Sequence, residues 1–185
     1  MGEIDDAIER ADREGFTRQP PKTLQARINF LMKQLKTTKA VAAELGVSQR
    51  SVERYRKGER KHPPKAIAER IDAAVRARWQ PQVRRRRRKQ AATTRGITVE
   101  TRARFGYTAP IGTTDDGRFR RLTVHLPPTY AQRLFDAREA GAGDQQMRQI
   151  IAEGFKEIYF RDGGARALGL SDVTLNDIDY LDLDY

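Results

Sequence analysis

The sequence predicts a mainly α protein with a short β element. Three observations across its 185 residues carry that expectation. Apolar residues recur at i, i+3, i+4 and i+7 through several segments, the period of a half-buried helix. Leu122 to Leu126 alternates apolar and polar residues as a half-buried strand does. A cation run, "RRRRRK", separates the two halves. The chain accordingly divides into an N-terminal helical domain (residues 1–80), a basic flexible linker (81–96), an irregular segment (97–118), a strand-helix-helix unit (119–162) and an acidic tail (163–185).

The first helix carries Ile4, Ala7, Ile8 and Ala11 on one face and stops at Gly15. A second, with Leu24, Ile28, Leu31 and Leu35, follows Pro20-Pro21 and takes Thr23 as its N-cap. Residues 38–57 are more constrained. Thr38 is placed to cap a short helix with Val41, Ala42 and Leu45 inward, and Ala42 leaves room for a crossing helix. Gly46 supplies the positive φ of a tight turn, Val47 fills the corner, and Ser48 caps a helix with Val52 and Tyr55 inward. Together these positions resemble a helix-turn-helix. The outward residues Ser48, Gln49, Arg50, Glu53 and Arg54 would then face base edges, while Lys57, Arg60 and Lys61 would touch phosphates. Pro63-Pro64 opens a further helix through Ile67, Ile71 and Val75, closed by Trp79 as a packed anchor.

The net charge of +11 is segregated, with a basic middle between acidic ends. Such a surface draws phosphate backbones by releasing their counterions. With no cysteine and two distant histidines, His62 and His125, no metal site is expected. No apolar run approaches 18 residues, so no membrane span or membrane partner is expected, and the acidic start argues against a signal peptide. A cytoplasmic location follows as an expectation.

Arg84, Arg85, Arg86, Arg87, Arg88 and Lys89 repel one another, which predicts a solvated, phosphate-tracking arm. Beyond it, "APIGTTDDGRF" places Thr113 and Thr114 before Asp115 and Asp116, between Gly112 and Gly117. Composition alone reads this as a turn whose aspartates order their own backbone. The two hydroxyls are chemically alike.

Next come the alternating strand, a helix through Tyr130, Leu134 and Ala137, and a second helix through Met147, Ile150, Ile151 and Phe155 with Asp144 as its cap. Strand, helix, turn, helix resembles a ribbon-helix-helix unit, which would bring Arg121, Thr123 and His125 to base edges. The acid–apolar alternation from Asp177 to Tyr185 reads as a disordered solubilising end, or as a competitor of nucleic acid folded over the protein's own basic surface.

Taken in order, "AVAAELGVSQRSVERYRKG", the "RRRRRK" arm, "GTTDDGRFRRLTVHLPPTYAQRLFDAREAG" and the acidic end give the whole chain a resemblance. It resembles the telomere-protecting terminal proteins of linear chromosomes and plasmids in Streptomyces-type actinomycetes. The resemblance implies covalent attachment of the replicon's 5′ end to the Thr114 hydroxyl, with Thr113, Asp115 and Asp116 as loop support. It implies a protein primer for end-patching replication, not a catalyst. It has no cofactor of its own, since divalent metal and nucleotide arrive with a DNA polymerase. The implied partners are telomeric DNA (duplex and single-stranded 3′ overhang), a telomere-associated DNA-binding protein, the polymerase and a topoisomerase. The implied location is the nucleoid at replicon ends, with a homodimer as one arrangement. The residues by themselves also fit a helix-turn-helix transcriptional or plasmid copy-control regulator with no covalent chemistry.

Overall fold

The computed structural model describes residues 2–108, 114–161, 170 and 172–185, with the backbone alone at 107–108 and 114–118. The fold is mainly α with one small antiparallel sheet. The chain forms two compact units, residues 16–82 and residues 1–15 with 83–185.

The first unit is wholly helical: α2 (Leu24–Leu35), α3 (Thr38–Leu45), α4 (Gln49–Lys57) and α5 (Lys65–Arg78). Its core joins the expected faces, with Ile28, Leu31, Val41, Leu45, Val52, Tyr55, Ile71 and Val75 buried. Each such large apolar side chain contributes about 1.5–3 kcal/mol on leaving water. Thr23 caps α2 as expected, accepting from the Ala26 amide at 3.2 Å. The cap of α3 is Thr37 and not Thr38, because the Thr37 hydroxyl accepts from the Ala40 amide at 3.1 Å. Trp79 anchors the end of α5: its ring meets Phe30 edge-on at 5.1 Å, and its indole N–H donates to the Arg18 carbonyl at 2.9 Å.

In the second unit, α1 (Glu3–Glu14), α7 (Pro128–Glu139) and α8 (Asp144–Phe155) cover one face of a sheet ordered β2-β1-β3. The strands are β1 (Ile97–Thr108), β2 (Thr114–Leu126) and β3 (Asp172–Asp184), and both pairings are antiparallel. Ile97, Val99, Ala103 and Phe105 alternate inward with Leu122, Val124 and Leu126, and with Val173, Leu175, Leu181 and Leu183. Phe105 meets Phe155 of α8 edge-on at 5.3 Å. Gly154 lets that helix come close, since a Cβ there would lie 2.8 Å from the Leu126 methyls.

Several sequence expectations are corrected by this unit. The helix 3–14 belongs here and not to an N-terminal domain over 1–80, because Ile4, Ala7, Ile8 and Ala11 are buried with the sheet residues. The irregular segment 97–118 is mostly strand, and the acidic tail ends as β3. The strand β2 pairs with β1 of the same chain, whereas a ribbon-helix-helix needs the strand of a second copy. Asp144 does not cap its own helix. Its carboxylate accepts from the Ile4 amide at 2.9 Å and so caps α1.

The basic arm is the largest correction. Residues 81–90 form α6 (Pro81–Gln90), which continues into a wide turn at Ala91–Arg95. Helical spacing turns Arg84 and Arg88 toward acids that α1 presents at Glu9 and Asp12, while Arg87 donates to the Ala11 carbonyl at 2.9 Å. Arg85, Arg86 and Lys89 remain exposed. Arg88 pairs with both carboxylate oxygens of Asp12, Arg84 lies 3.3 Å from Glu9, and Arg138 donates to Glu9 at 2.7 Å. The Tyr185 hydroxyl donates to Asp12 at 2.7 Å.

These groups make stability depend on pH at both ends. Burial alone would raise the Glu9 carboxyl, but the Arg138 hydrogen bond and the charges of Arg84, Arg138 and Arg88 hold it below the usual value. Its contribution is therefore full above the ordinary carboxylate range, about 4.3, and fades as pH falls through the lowered value. Tyr130 moves the opposite way. Burial, then its hydrogen bond to Glu157 and that carboxylate's charge, push it up to about 12. The neutral phenol's contribution is thus full below about 10, its unfolded value, and is lost as pH rises toward 12. Melting temperatures measured against pH should fall on both flanks, and Tyr130→Phe should flatten part of the alkaline fall. An unchanged alkaline flank would rule out that role.

Candidate nucleic-acid interface and acceptor hydroxyl

Apart from the cap of α3, the α3–turn–α4 element is assembled as its residues predict. Gly46 adopts φ +61, where a side chain is strained, and an added Cβ would also lie 2.3 Å from the Arg70 guanidinium. That guanidinium donates to the Leu45 carbonyl at 2.9 Å and satisfies the end of α3. The Ser48 hydroxyl accepts from the Ser51 amide at 3.2 Å and lies 3.0 Å from the Ser51 hydroxyl, so it is committed to the cap. Gln49, Arg50, Glu53, Arg54 and Lys57 are exposed, as is Lys61 beyond the helix. Arg54 reaches Glu59 at 3.8 Å, and the Arg60 guanidinium lies 5.8 Å from the Tyr55 ring centre. Glu44 and Asp72 pair with Arg78 and Arg27, at 3.0 Å and 2.5 Å.

The second group lies on the sheet face that the helices leave open. Arg121, Thr123 and His125 are exposed there. His125 Nδ1 lies 3.1 Å from the Thr98 hydroxyl, and Arg121 donates to Glu100 at 2.7 Å. That hydrogen bond, followed by the nearby charges, raises Arg121, and the same bond lowers Glu100. The face also holds Arg102, Arg104, Phe119 and Tyr180, which sequence reasoning missed. Their signal was the alternation of Val99, Thr101, Ala103 and Phe105. It is faint because two of those inward positions hold a hydroxyl and a methyl. Thr101 is wholly buried and donates to the Tyr180 carbonyl at 2.7 Å.

Thr114 is the first residue of β2, and its Cα partner is Thr108, the last of β1. Asp115 partners Tyr107, and the register slips between Phe105 and Tyr107. Position 114 therefore marks one end of the three-stranded sheet, where Thr108 of β1 lies between Thr114 of β2 and Asp172 of β3. Asp116 and Gly117 also lie in β2, while Gly112 and Thr113 fall outside the described residues. Among the described residues no group of three or more His, Cys, Asp or Glu side chains could hold a metal ion. Among them, too, no helix is long and apolar enough to cross a membrane.

Comparison with protein-family models, with curated proteins and with solved structures found no match for this chain.

Proposed function

We propose that this chain is a DNA-binding terminal protein that accepts the first nucleotide of a new strand on Thr114 and stays covalently attached to the 5′ end. The observation that carries the reading is the backbone placement of Thr114 at the first position of β2, at one end of the sheet. An acceptor hydroxyl must reach the active site of a polymerase, and the end of a sheet can approach it where the middle of a strand cannot. The exposed cations of α4 give the same chain a means of holding the DNA.

The chemistry is a phosphoryl transfer. The Thr114 Oγ attacks the α-phosphorus of a deoxynucleoside triphosphate, the new Oγ–P bond forms, and pyrophosphate leaves. The hydroxyl proton passes to a base or water in the polymerase site. Threonine, like the 3′ end of a strand, is a secondary alcohol, and the polymerase supplies the divalent ions that activate it. The protein is then a substrate and a targeting module.

The reading is tested on DNA recovered from cells. A terminal protein remains attached in strong denaturant until protease removes it. Complete release by denaturant would instead leave a helix-turn-helix regulator.

The α4 surface gives a second expectation. Arg50→Ala should weaken duplex binding by about 1–3 kcal/mol and relax the preference at one base position. Lys61→Ala should weaken all sequences alike and reduce the salt slope by about 0.9 for its one phosphate. Titrations at several salt concentrations separate the two. Equal, sequence-independent losses from both would remove Arg50 from base reading.

A further inference from the structure

We infer that the open face of the sheet is a single-stranded DNA platform, with Phe119 and Tyr180 as stacking surfaces and Arg102, Arg104 and Arg121 as phosphate contacts. The inference rests on the proposed function only in naming the template strand as the ligand.

Phe119 carries the argument. An aromatic ring on the solvent side of a strand would normally be covered, yet Phe119 is 49% exposed. Two guanidiniums flank it, Arg104 at 5.3 Å and Arg102 at 5.9 Å from the ring centre. The Arg121 guanidinium lies 5.9 Å from the Tyr180 ring. The register explains the grouping: Arg104 faces Phe119, and Arg102 lies between Arg121 and Tyr180 on neighbouring strands. Aromatic rings beside arginines on an open sheet are what unpaired bases need, since every base has a π-face and every linkage a charge. Duplex DNA offers the same phosphates but keeps its base faces stacked, so it would leave the rings unused.

The depression beside Phe119 has a volume of ≈ 400 Å³ and is lined by Arg102, Phe119, Asp177, Ile178 and Asp179. A larger groove of ≈ 530 Å³ follows α8 and β3. Its lining holds Asp144 and Asp172 and no ring, so it does not suit a nucleic acid.

The acids at the depression explain how the platform is regulated. Three residues of β3, Asp177 to Asp179, occupy the stretch opposite Ala103, because Arg102 pairs with Tyr180 and Arg104 with Asn176. This bulge brings Asp179 to 2.9 Å from Arg102 and Asp177 to 3.5 Å from Arg104. Glu100 holds Arg121 in the same way. These pairs are half exposed or nearly so, and such pairs exchange readily for a stronger anion. The carboxylates thus occupy the phosphate positions until a strand displaces them.

The test uses the full chain and fluorescein-labelled oligo(dT) of about 16 nucleotides, the upper site size of one single-strand-binding fold, read by anisotropy. Wild type should bind with a salt slope near −2, or about −0.7 for each of three phosphates. Phe119→Ala should weaken binding at least about fivefold, the low end for losing a stacked base, while Phe119→Tyr should retain it. Asp177→Asn with Asp179→Asn should tighten binding. Asparagine tolerates the positive φ of +42 at position 177, so the fold is preserved. The platform is overturned if wild type does not bind oligo(dT), or if Phe119→Ala binds as wild type does. None of these outcomes bears on whether Thr114 accepts a nucleotide.

Discussion

Thr114→Ala is expected to abolish transfer of the first nucleotide, while Thr113→Ala keeps a substantial part of it. The substitution removes one oxygen and a methyl at the start of a strand, where residue preferences are worth at most about 1 kcal/mol. The fold should therefore survive, and a lost reaction would report lost chemistry. Thr114→Ser keeps the nucleophile as a primary alcohol and should retain measurable transfer. Its rate compared with wild type shows how closely the acceptor must resemble a sugar hydroxyl. The measurement is incorporation of α-labelled nucleotide into the protein, with polymerase and telomeric template present. Tryptic mass spectrometry then locates the adduct. Equal labelling of wild type and Thr114→Ala would reject the assignment, and an adduct on Thr113 would relocate it. The residues alone do not separate the two threonines, so the choice of Thr114 is part of the proposal that this experiment tests. The backbone adds that position 114 starts a strand paired with Thr108.

The legible parts of the sequence were those where one local rule acts alone. From the end of α3 through α4 the positions of Gly46, Ser48, Val52 and Tyr55 each follow from turn geometry, capping or helical period, and each holds. Expectations failed where a distant segment decides. "RRRRRK" is a solvated arm if its charges are counted in isolation. It becomes a packed helix because α1 offers carboxylates at the same helical spacing, and that match lies about 75 residues away in sequence. The alternation from Asp177 to Tyr185 was visible, but its acids weighed toward disorder. Burial of Leu181 and Leu183 against the helices is what makes it a strand. Asp144 shows the same limit, since its partner is the first turn of α1. The candidate site follows this division. Gln49, Arg50 and Arg54 were legible because they sit on a locally defined helix. Phe119 and Arg104 become neighbours only through strand pairing.

Because the acidic end is a core strand, deleting Asp177–Tyr185 would test folding and not competition for DNA. The point substitutions at Asp177 and Asp179 avoid that difficulty. Tyr185 is buried, its ring meets Phe135 edge-on at 5.2 Å, and its hydroxyl reaches both Asp12 and the Ile8 carbonyl.

The same junction predicts the largest effect on stability. Asp12→Ala should cost about 3–5 kcal/mol, the usual loss when one member of a buried ion pair is removed. Asp12 is 1% exposed, accepts from both Arg88 and the Tyr185 hydroxyl, and lies 3.7 Å from the Arg84 guanidinium. Burial opposes the charge of Arg88, but its hydrogen bond to Asp12 and the attraction of that carboxylate outweigh burial and raise its pKa. Without Asp12 the guanidinium keeps its charge and loses the group that made its burial tolerable. Against a total stability of about 5–15 kcal/mol, such a loss should lower the melting temperature by roughly 10–20 °C. The chain's one tryptophan, Trp79, reports the helical unit, so the sheet-bearing unit is followed by tyrosine emission and circular dichroism. Two controls separate charge from packing. Asp12→Asn keeps an acceptor in the same space and should lose less than Asp12→Ala. Asp12→Leu with Arg88→Met removes both charges and should recover most of the loss, because a buried pair replaced by apolar groups is often neutral. If Asp12→Ala costs under about 1 kcal/mol, the junction behaves as an exposed surface pair does, and α6 is held by something other than these charges.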